Sequence, residues 1–406
     1  MTSSSALRLV SLLALFFSAA AGCTRPVSAQ SPGTAPPAQA ATQAAPAPAT
    51  VPRVFLFATG GTISNRTGGR LSVDELVASV PNLDRRVKVE GEQFANVSSG
   101  QITMDQWLDL ARRVNDRLKQ DQGLAGVVVT SGTDTLEELA YFLHLTVRDE
   151  RPVVIVGSMR NPSTLGYEGS ANLEDAFRVA ADPQSRGMGA LVVLNDEINS
   201  AREATKTDSR LLSTFSSRDY GVLGTIFDRV AYFRKPVRRH TAQSEFDVAK
   251  IPSLPRVDVI LTYQGAPGDI IKSAVDAGAR GIVIAGAGAG ATSGTQGEGL
   301  SYATEKGAFV VSTTRTGGGG VGGGGGGRAG GAPAAGAPPD STTGRAAGGA
   351  PATAPPAAGP AGTGRGNTSR RISGDDLQPV KARILLMLAL ATTTDGPELQ
   401  RIFREY

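Results

Sequence analysis

Apolar residues in this chain gather into short runs rich in valine and isoleucine, each followed by a polar or glycine-rich loop. Val54-Phe-Leu-Phe57, Gly126-Val-Val-Val129, Val153-Val-Ile-Val156, Ala190-Leu-Val-Val-Leu194, Val257-Asp-Val-Ile-Leu261 and Gly281-Ile-Val-Ile-Ala285 share this character. Near-continuous apolar runs predict strands buried on both faces, the usual condition of parallel sheets. Between them, Asp105 to Leu118, Leu136 to Leu145 and Asn172 to Ala180 place apolar residues at helical spacing. The alternation predicts an α/β fold: a larger N-terminal doubly wound, mainly parallel sheet with flanking helices, plus a smaller C-terminal α/β domain. Lys235-Pro236 to Pro255 is polar and proline-punctuated. It reads as the connection, so the expected boundaries are 53–240, a linker at 241–256, and 257–406. Pro379 to Leu390 is apolar almost all round, with proline in its first turn, and predicts a buried helix.

Two stretches break the pattern. Ser31 to Pro52 is Ala/Pro/Gln/Thr-rich with no large apolar residue, and predicts a tether. Residues 317–371 are mostly Gly, Ala and Pro; such a run buries too little apolar surface to offset its ordering entropy, so it reads as an insert in the C-terminal domain. The first 30 residues hold Arg8, an apolar run from Leu9 to Ala21, and then small residues, the shape of an export signal (1–22). Cys23, the one cysteine among 406 residues, follows Ala-Ala-Ala-Gly directly. It reads as a lipidation site that begins a 23–52 tether and anchors an exported, periplasmic protein to the membrane. Cleavage after Ala29 to give a soluble protein is the alternative. A single cysteine excludes disulfides and thiolate chemistry from the mature fold. The formal charge of +4 is small for the length, and no acidic residue precedes Asp74. Scattered arginines with few aromatics make no nucleic-acid footprint.

Candidate chemistry lies where two of the strands end. Thr59-Gly-Gly-Thr-Ile63 follows the first apolar run and Thr130-Ser-Gly-Thr-Asp-Thr-Leu-Glu-Glu138 the second. Ligands of open α/β sheets bind past the carboxyl ends of strands, so the two loops predict one shared, hydroxyl-rich site. A threonine nucleophile needs a group to take its proton. Only two histidines are present, and His144, between Leu143 and Leu145, reads as structural. A lysine kept neutral by burial and neighbours, or a tyrosine, is the remaining option. Lys206, in the polar loop Ala204-Thr-Lys-Thr-Asp208, is the candidate to complete a relay with Thr133 and Asp134. Thr59-Gly-Gly-Thr-Ile63 lacks the lysine and spacing of a phosphate-binding loop.

The chain resembles the bacterial-type L-asparaginases of the asparaginase/glutaminase family, the exported type II enzymes in particular. The resemblance covers Arg53 to Arg315 and Ile372 to Tyr406. It rests on the two threonine loops together with Gly91-Glu-Gln93, Tyr141-Phe-Leu143, Arg151-Pro-Val-Val154, Gly157-Ser-Met-Arg160, Thr205-Lys-Thr207, Lys381-Ala-Arg383 and Ile402-Phe403. It implies hydrolysis of L-asparagine to L-aspartate and ammonia through an acyl-threonine, with weak glutaminase activity and no metal or cofactor. Thr62 is implied as the nucleophile and Thr133, Asp134 and Lys206 as the relay, Asp134 also gripping the substrate's α-ammonium. Ser99 is implied to hold the α-carboxylate. Gly61 and Gly132 would let the backbone approach the substrate, and amides near Thr133 would form an oxyanion hole. The implied assembly is a homotetramer built as a dimer of dimers.

Three departures qualify the resemblance. Gly100 follows Ser99 where relatives often carry glutamine, with Gln101 displaced by one. The loop Ser64 to Arg70 is short and lacks the tyrosine that assists the nucleophile in many relatives; Tyr167 reads as a surface residue, with substitution for that tyrosine as the alternative. No glutamate lies between Arg315 and Arg371 to serve a neighbouring subunit, and Ala289 stands where relatives carry asparagine. These departures define two rival readings: a catalytically silent amino-acid-binding lipoprotein, and an amidohydrolase acting on a D-amino-acid or peptidyl amide.

Overall fold

A computed structural model of the chain describes residues 51–322 and 370–406. The export segment, Cys23, nearly all of the tether and most of the low-complexity stretch lie outside the described residues. The N-terminal part contains β1 (Arg53–Gly60), the hairpin β2 (Asn65–Arg66) and β3 (Gly69–Arg70), α1 (Val73–Ala78), β4 (Lys88–Val97), α2 (Met104–Gln120) and β5 (Leu124–Thr130). It continues with α3 (Leu136–Thr146), β6 (Val153–Val156), α4 (Gly169–Ala181), β7 (Ala190–Leu194), β8 (Glu197–Ser200), β9 (Thr205–Lys206), β10 (Phe215–Ser216), β11 (Gly224–Ile226) and β12 (Val230–Tyr232). The C-terminal part has β13 (Val257–Leu261), α5 (Asp269–Asp276), β14 (Gly281–Gly286), α6 (Gln296–Glu305), β15 (Phe309–Thr314), β16 (Arg371–Ser373), α7 (Pro379–Thr392) and α8 (Gly396–Glu405).

The large sheet has strand order β12-β11-β8-β7-β6-β5-β1-β4. Its centre is parallel from β4 through β7, and β8, β11 and β12 add antiparallel strands at the far edge. Alternation along each central strand sends side chains to two separate cores. Phe55, Phe57, Val127, Val129, Val153 and Ile155 meet α2 and α3, whereas Val54, Leu56, Ala58, Val128, Val154 and Val156 meet α1 and α4. Both faces are covered, which is why these strands carry no polar alternation. Helix α2 begins with Thr103 and Gln106 in reciprocal side-chain-to-backbone caps, satisfying amides that the first turn leaves free.

The small sheet, β13-β14-β15-β16, is parallel throughout. Ile271, Leu300 and Ala303 of α5 and α6 cover one face, and α7 covers the other. The predicted buried helix is α7, and its buried set runs from Lys381 to Leu390. Because α7 also packs on α3, one apolar cluster runs continuously from the large sheet through α3 and α7 into the small one. Residues at both ends of the expected insert belong to this architecture. Val321 is buried, its amide donates to the Asp375 carbonyl, and Ser373 Oγ donates to the Val321 carbonyl at 2.9 Å.

His144 sits at the back of α3, fully buried, with Nδ1 accepting the Ala190 amide at 3.2 Å and its ring 5.1 Å from that of His240. Burial, then the neighbouring His240, hold the His144 imidazole well below its ordinary value, and burial lowers His240 as well. Both rings are therefore harder to protonate in the folded protein than in the unfolded chain, His144 the more so. Stability should be level above about pH 6.5 and fall below it, by at most on the order of 1 kcal/mol per pH unit for each ring. Urea unfolding between pH 7.5 and 5 measures the slope. A His144→Phe protein should show a shallower acid loss, and an unchanged slope would remove this assignment.

Candidate active site

Strands β1 and β5 lie side by side and in register, Ala58 opposite Thr130. The Thr59 amide donates to Thr130 Oγ1 at 3.2 Å and the Thr59 hydroxyl to the Thr130 carbonyl at 2.6 Å. The ends of the two strands are thus stapled before either loop begins. Gly61 then turns with φ +84°, a backbone conformation disfavoured for residues with a Cβ, and Thr62 opens a single 3₁₀ turn. A Cβ on Gly61 would lie 2.8 Å from the Ser131 carbonyl carbon and closer still to Gly132. A Cβ on Gly132 would in turn lie 3.0 Å from Ser99 Cβ and Oγ. Absent side chains let three loops meet, and Thr62, Thr133 and Ser99 gather around that contact.

Ser99 is buried and starts the short turn Ser99–Gln101 beyond β4, the strand that flanks β1 on its other side. Gln101 does not reach into the site. Its Oε1 accepts the Ser98 amide at 3.3 Å, closing a reciprocal cap. A Cβ added to Gly100 would meet nothing within 4 Å, so the position next to Ser99 is open space.

Lys206 is not in a loop, as the sequence led us to expect, but on the two-residue strand β9, paired with Phe215 of β10. Polar, two-residue strands leave no periodic signal. The pairing aims the lysine at the strand ends, where Nζ donates to Thr133 Oγ1 at 3.0 Å and to Asp134 Oδ1 at 2.7 Å. The lysine side chain is 14% exposed and that of Asp134 85% exposed. Asp134 therefore holds the amine from the solvent side while keeping acceptor capacity for a cationic ligand group.

The loop that carries the candidate nucleophile is fixed from outside. Tyr167 is half-buried rather than at the surface, and its hydroxyl donates to the Ile63 carbonyl at 2.8 Å. Burial, then nearby Glu168, push that phenol up to about 12, which suits a neutral donor and not a base. Arg70 Nη1 donates to the Gly61 carbonyl at 3.2 Å, so the carbonyls of the residues on either side of Thr62 are anchored. His144 lies among the core residues of α3 and plays no part in this arrangement.

Comparison with known proteins shows the family of the chain. The family model described as "Asparaginase, N-terminal" matches residues 53–238, and "Glutaminase/Asparaginase C-terminal domain" matches residues 256–339. The chain is 38% identical to L-asparaginase 2 of Bacillus subtilis (strain 168) over 366 residues, covering 88% of this chain and 87% of that protein. This chain belongs to the asparaginase family. It is 35% identical to a probable periplasmic L-asparaginase of Haemophilus influenzae over 378 residues, 88% and 94% of the two chains. The crystal structure of a probable cytoplasmic L-asparaginase from Campylobacter jejuni aligns with TM-score 0.73 and 34% identity, covering 87% of this chain and all of that one.

Two residues that lie within the quoted motifs, but to which the sequence reading gave no role, bond the backbone around Lys206. Glu137 Oε1 accepts the Lys206 amide at 3.2 Å, and Lys381 Nζ donates to the carbonyls of Arg202, at 2.9 Å, and Ala204. Both carry a trace in the sequence. Glu137 lies four residues after Thr133 in the second threonine motif, and Lys381 is one of only two cations within an otherwise apolar helix.

Proposed function

We propose that this chain hydrolyses L-asparagine to L-aspartate and ammonia, with Thr62 as nucleophile and Lys206, through Thr133, as the proton acceptor. The observation that supports it most is the Lys206–Thr133–Asp134 cluster, 3.0 and 2.7 Å across, set against the glycine contact that brings Thr62 alongside. In this reading Thr62 Oγ1 adds to the side-chain amide carbon and its proton passes to Lys206 as the free amine. Backbone amides near Thr133, just ahead of α3, stabilise the oxyanion that forms. The C–N bond then breaks, the nitrogen leaves as ammonia after taking a proton, and water hydrolyses the acyl-Thr62 ester. Ser99 takes the substrate's α-carboxylate and Asp134 its α-ammonium, while Gly61 and Gly132 keep the floor of the site flat. No step calls for a metal or a cofactor.

Ammonia release from asparagine, glutamine and a blocked peptide amide, measured side by side on purified protein, tests the substrate. Asparagine should be fastest and glutamine slower. A faster peptide amide would replace the substrate, and no release from any would leave a binding protein.

The fold reading extends to the rest of the chain. Deleting 323–369 and joining Gly322 to Arg370 keeps Val321, Ser373 and their hydrogen bonds. Asparagine turnover should stay within a few fold of the intact protein. Loss of soluble, folded protein would refute the reading of that stretch as an insert.

The same reading makes the protein exported and lipid-anchored through Cys23, and assembles it as a dimer of dimers. Cys23→Ser should move the protein from the membrane to the soluble fraction, and unchanged membrane retention would remove the anchor. Sedimentation at assay concentration should give four times the chain mass, and full activity at the monomer mass would remove the tetramer.

A further inference from the structure

Lys381 is completely buried, yet it serves no step described so far. It sits in the first turn of α7, a helix of the C-terminal half, and reaches across to the N-terminal half. Its Nζ donates to the Arg202 carbonyl at 2.9 Å and to the Ala204 carbonyl, both within the three residues that precede β9. On the other side lies Glu137, with Oε2 3.9 Å from Nζ and without a hydrogen bond. The other oxygen of Glu137 accepts the amide of Lys206 itself. One buried cation and one buried carboxylate thus grip three polar groups, on Arg202, Ala204 and Lys206, of the backbone leading into and through β9. Burial is the largest influence on Lys381, lowering it to about 8, and Glu137, Glu203 and Glu138 act against burial while Arg202 acts with it. A cation placed at such a cost, with apolar neighbours on the same helix, needs a reason other than packing.

We infer that Lys381 is a positioning residue for the proton-accepting amine: with Glu137 it sets the height and rotation of β9, so that Lys206 meets Thr133 and Asp134 at hydrogen-bond distance. Small misplacements of an acid–base group cost turnover more than affinity, because ground-state contacts to substrate are made elsewhere, here by Ser99 and Asp134. This inference rests on the assignment of Lys206 proposed above.

The test uses the full chain and three variants. Lys381→Met removes the donors at similar volume but strands the Glu137 carboxylate, so a loss of stability is expected with it. Lys381→Met/Glu137→Gln removes that stranded charge and keeps an acceptor for the Lys206 amide. The double variant should regain most of the melting temperature, yet show kcat for asparagine reduced tenfold or more, with KM within threefold of the unaltered protein. Lys206→Met is the third protein. A double variant with full kcat, beside an inactive Lys206→Met, overturns the positioning role and leaves the base assignment standing. Full turnover by Lys206→Met overturns the base assignment, and the positioning role with it. A double variant whose kcat loss is matched by an equal rise in KM also overturns the proposal, since that is loss of binding and not of alignment.

Discussion

Thr62→Ala should lower asparagine turnover by three orders of magnitude or more, roughly 4 kcal/mol of transition-state stabilisation. The expectation follows from how little else at the strand ends can form the covalent bond. Thr59 and Thr130 have spent their side chains on each other's strands, and Thr133 is held by Lys206. Ser99 is buried at the edge of the site, and Ser131 donates to the Gly132 carbonyl at 3.1 Å. Thr62 is the hydroxyl at the tip of a turn whose flanking carbonyls are anchored by Arg70 and Tyr167. Removing its Oγ1 and Cγ2 leaves those anchors intact, so the melting temperature should move by only a few degrees. Ammonia release gives the rate, and mass spectrometry of acid-quenched reactions locates the acyl group. Turnover by Thr62→Ala above a tenth of the unaltered rate, or an adduct on Thr133 instead, would end the assignment.

The central sheet was legible because its strands face apolar layers on both sides. Val153–Val156 and Ala190–Leu194 have the boundaries their composition predicts, since every residue in them is buried. Legibility fades toward the sheet's edge. Strands β8, β11 and β12 are three or four residues long and antiparallel, and Glu197, Asn199 and Thr225 within them read as loop. Strand β4 escaped for a similar reason: as the outer strand it is half solvated, and its glutamates and glycine mask it. The small sheet was legible in β13 and β14, whereas β16 has only three residues, Arg371 to Ser373, directly after the low-complexity stretch.

At the site, the loops bearing Thr62 and Thr133 were readable from apolar runs that end in hydroxyls, and Lys206 only through the company it keeps. The supporting groups were hidden. Glu137 and Lys381 lie in helices whose patterns assign them no partner, and burial of a charge is a tertiary fact. Gln101 shows the converse: it stands one residue beyond where relatives often carry glutamine, and capping the Ser98 amide takes its side chain away from the site.

Lys206→Met should be the second severe lesion, with a loss of about 10²- to 10⁴-fold in kcat, the range a positioned general base supplies. The substitution keeps an unbranched stem of the same length from β9 toward Thr133, with sulfur for one methylene, and removes the amine. Its two partners respond differently. Asp134 is 85% exposed and is simply rehydrated, so losing the contact with Lys206 costs little stability. The buried Thr133 hydroxyl loses its hydrogen bond at 3.0 Å and with it the route for the proton. Substrate affinity should change less than turnover, because Ser99 and the Asp134 carboxylate remain to take the two ends of the amino acid. The informative comparison is therefore kcat against KM, together with the fraction of acyl-enzyme trapped by acid. If Lys206 receives the nucleophile's proton, acylation itself slows and no acyl-enzyme accumulates. Normal kcat would remove the lysine from the mechanism, and accumulation of acyl-enzyme at low kcat would confine its work to the hydrolytic half of the cycle.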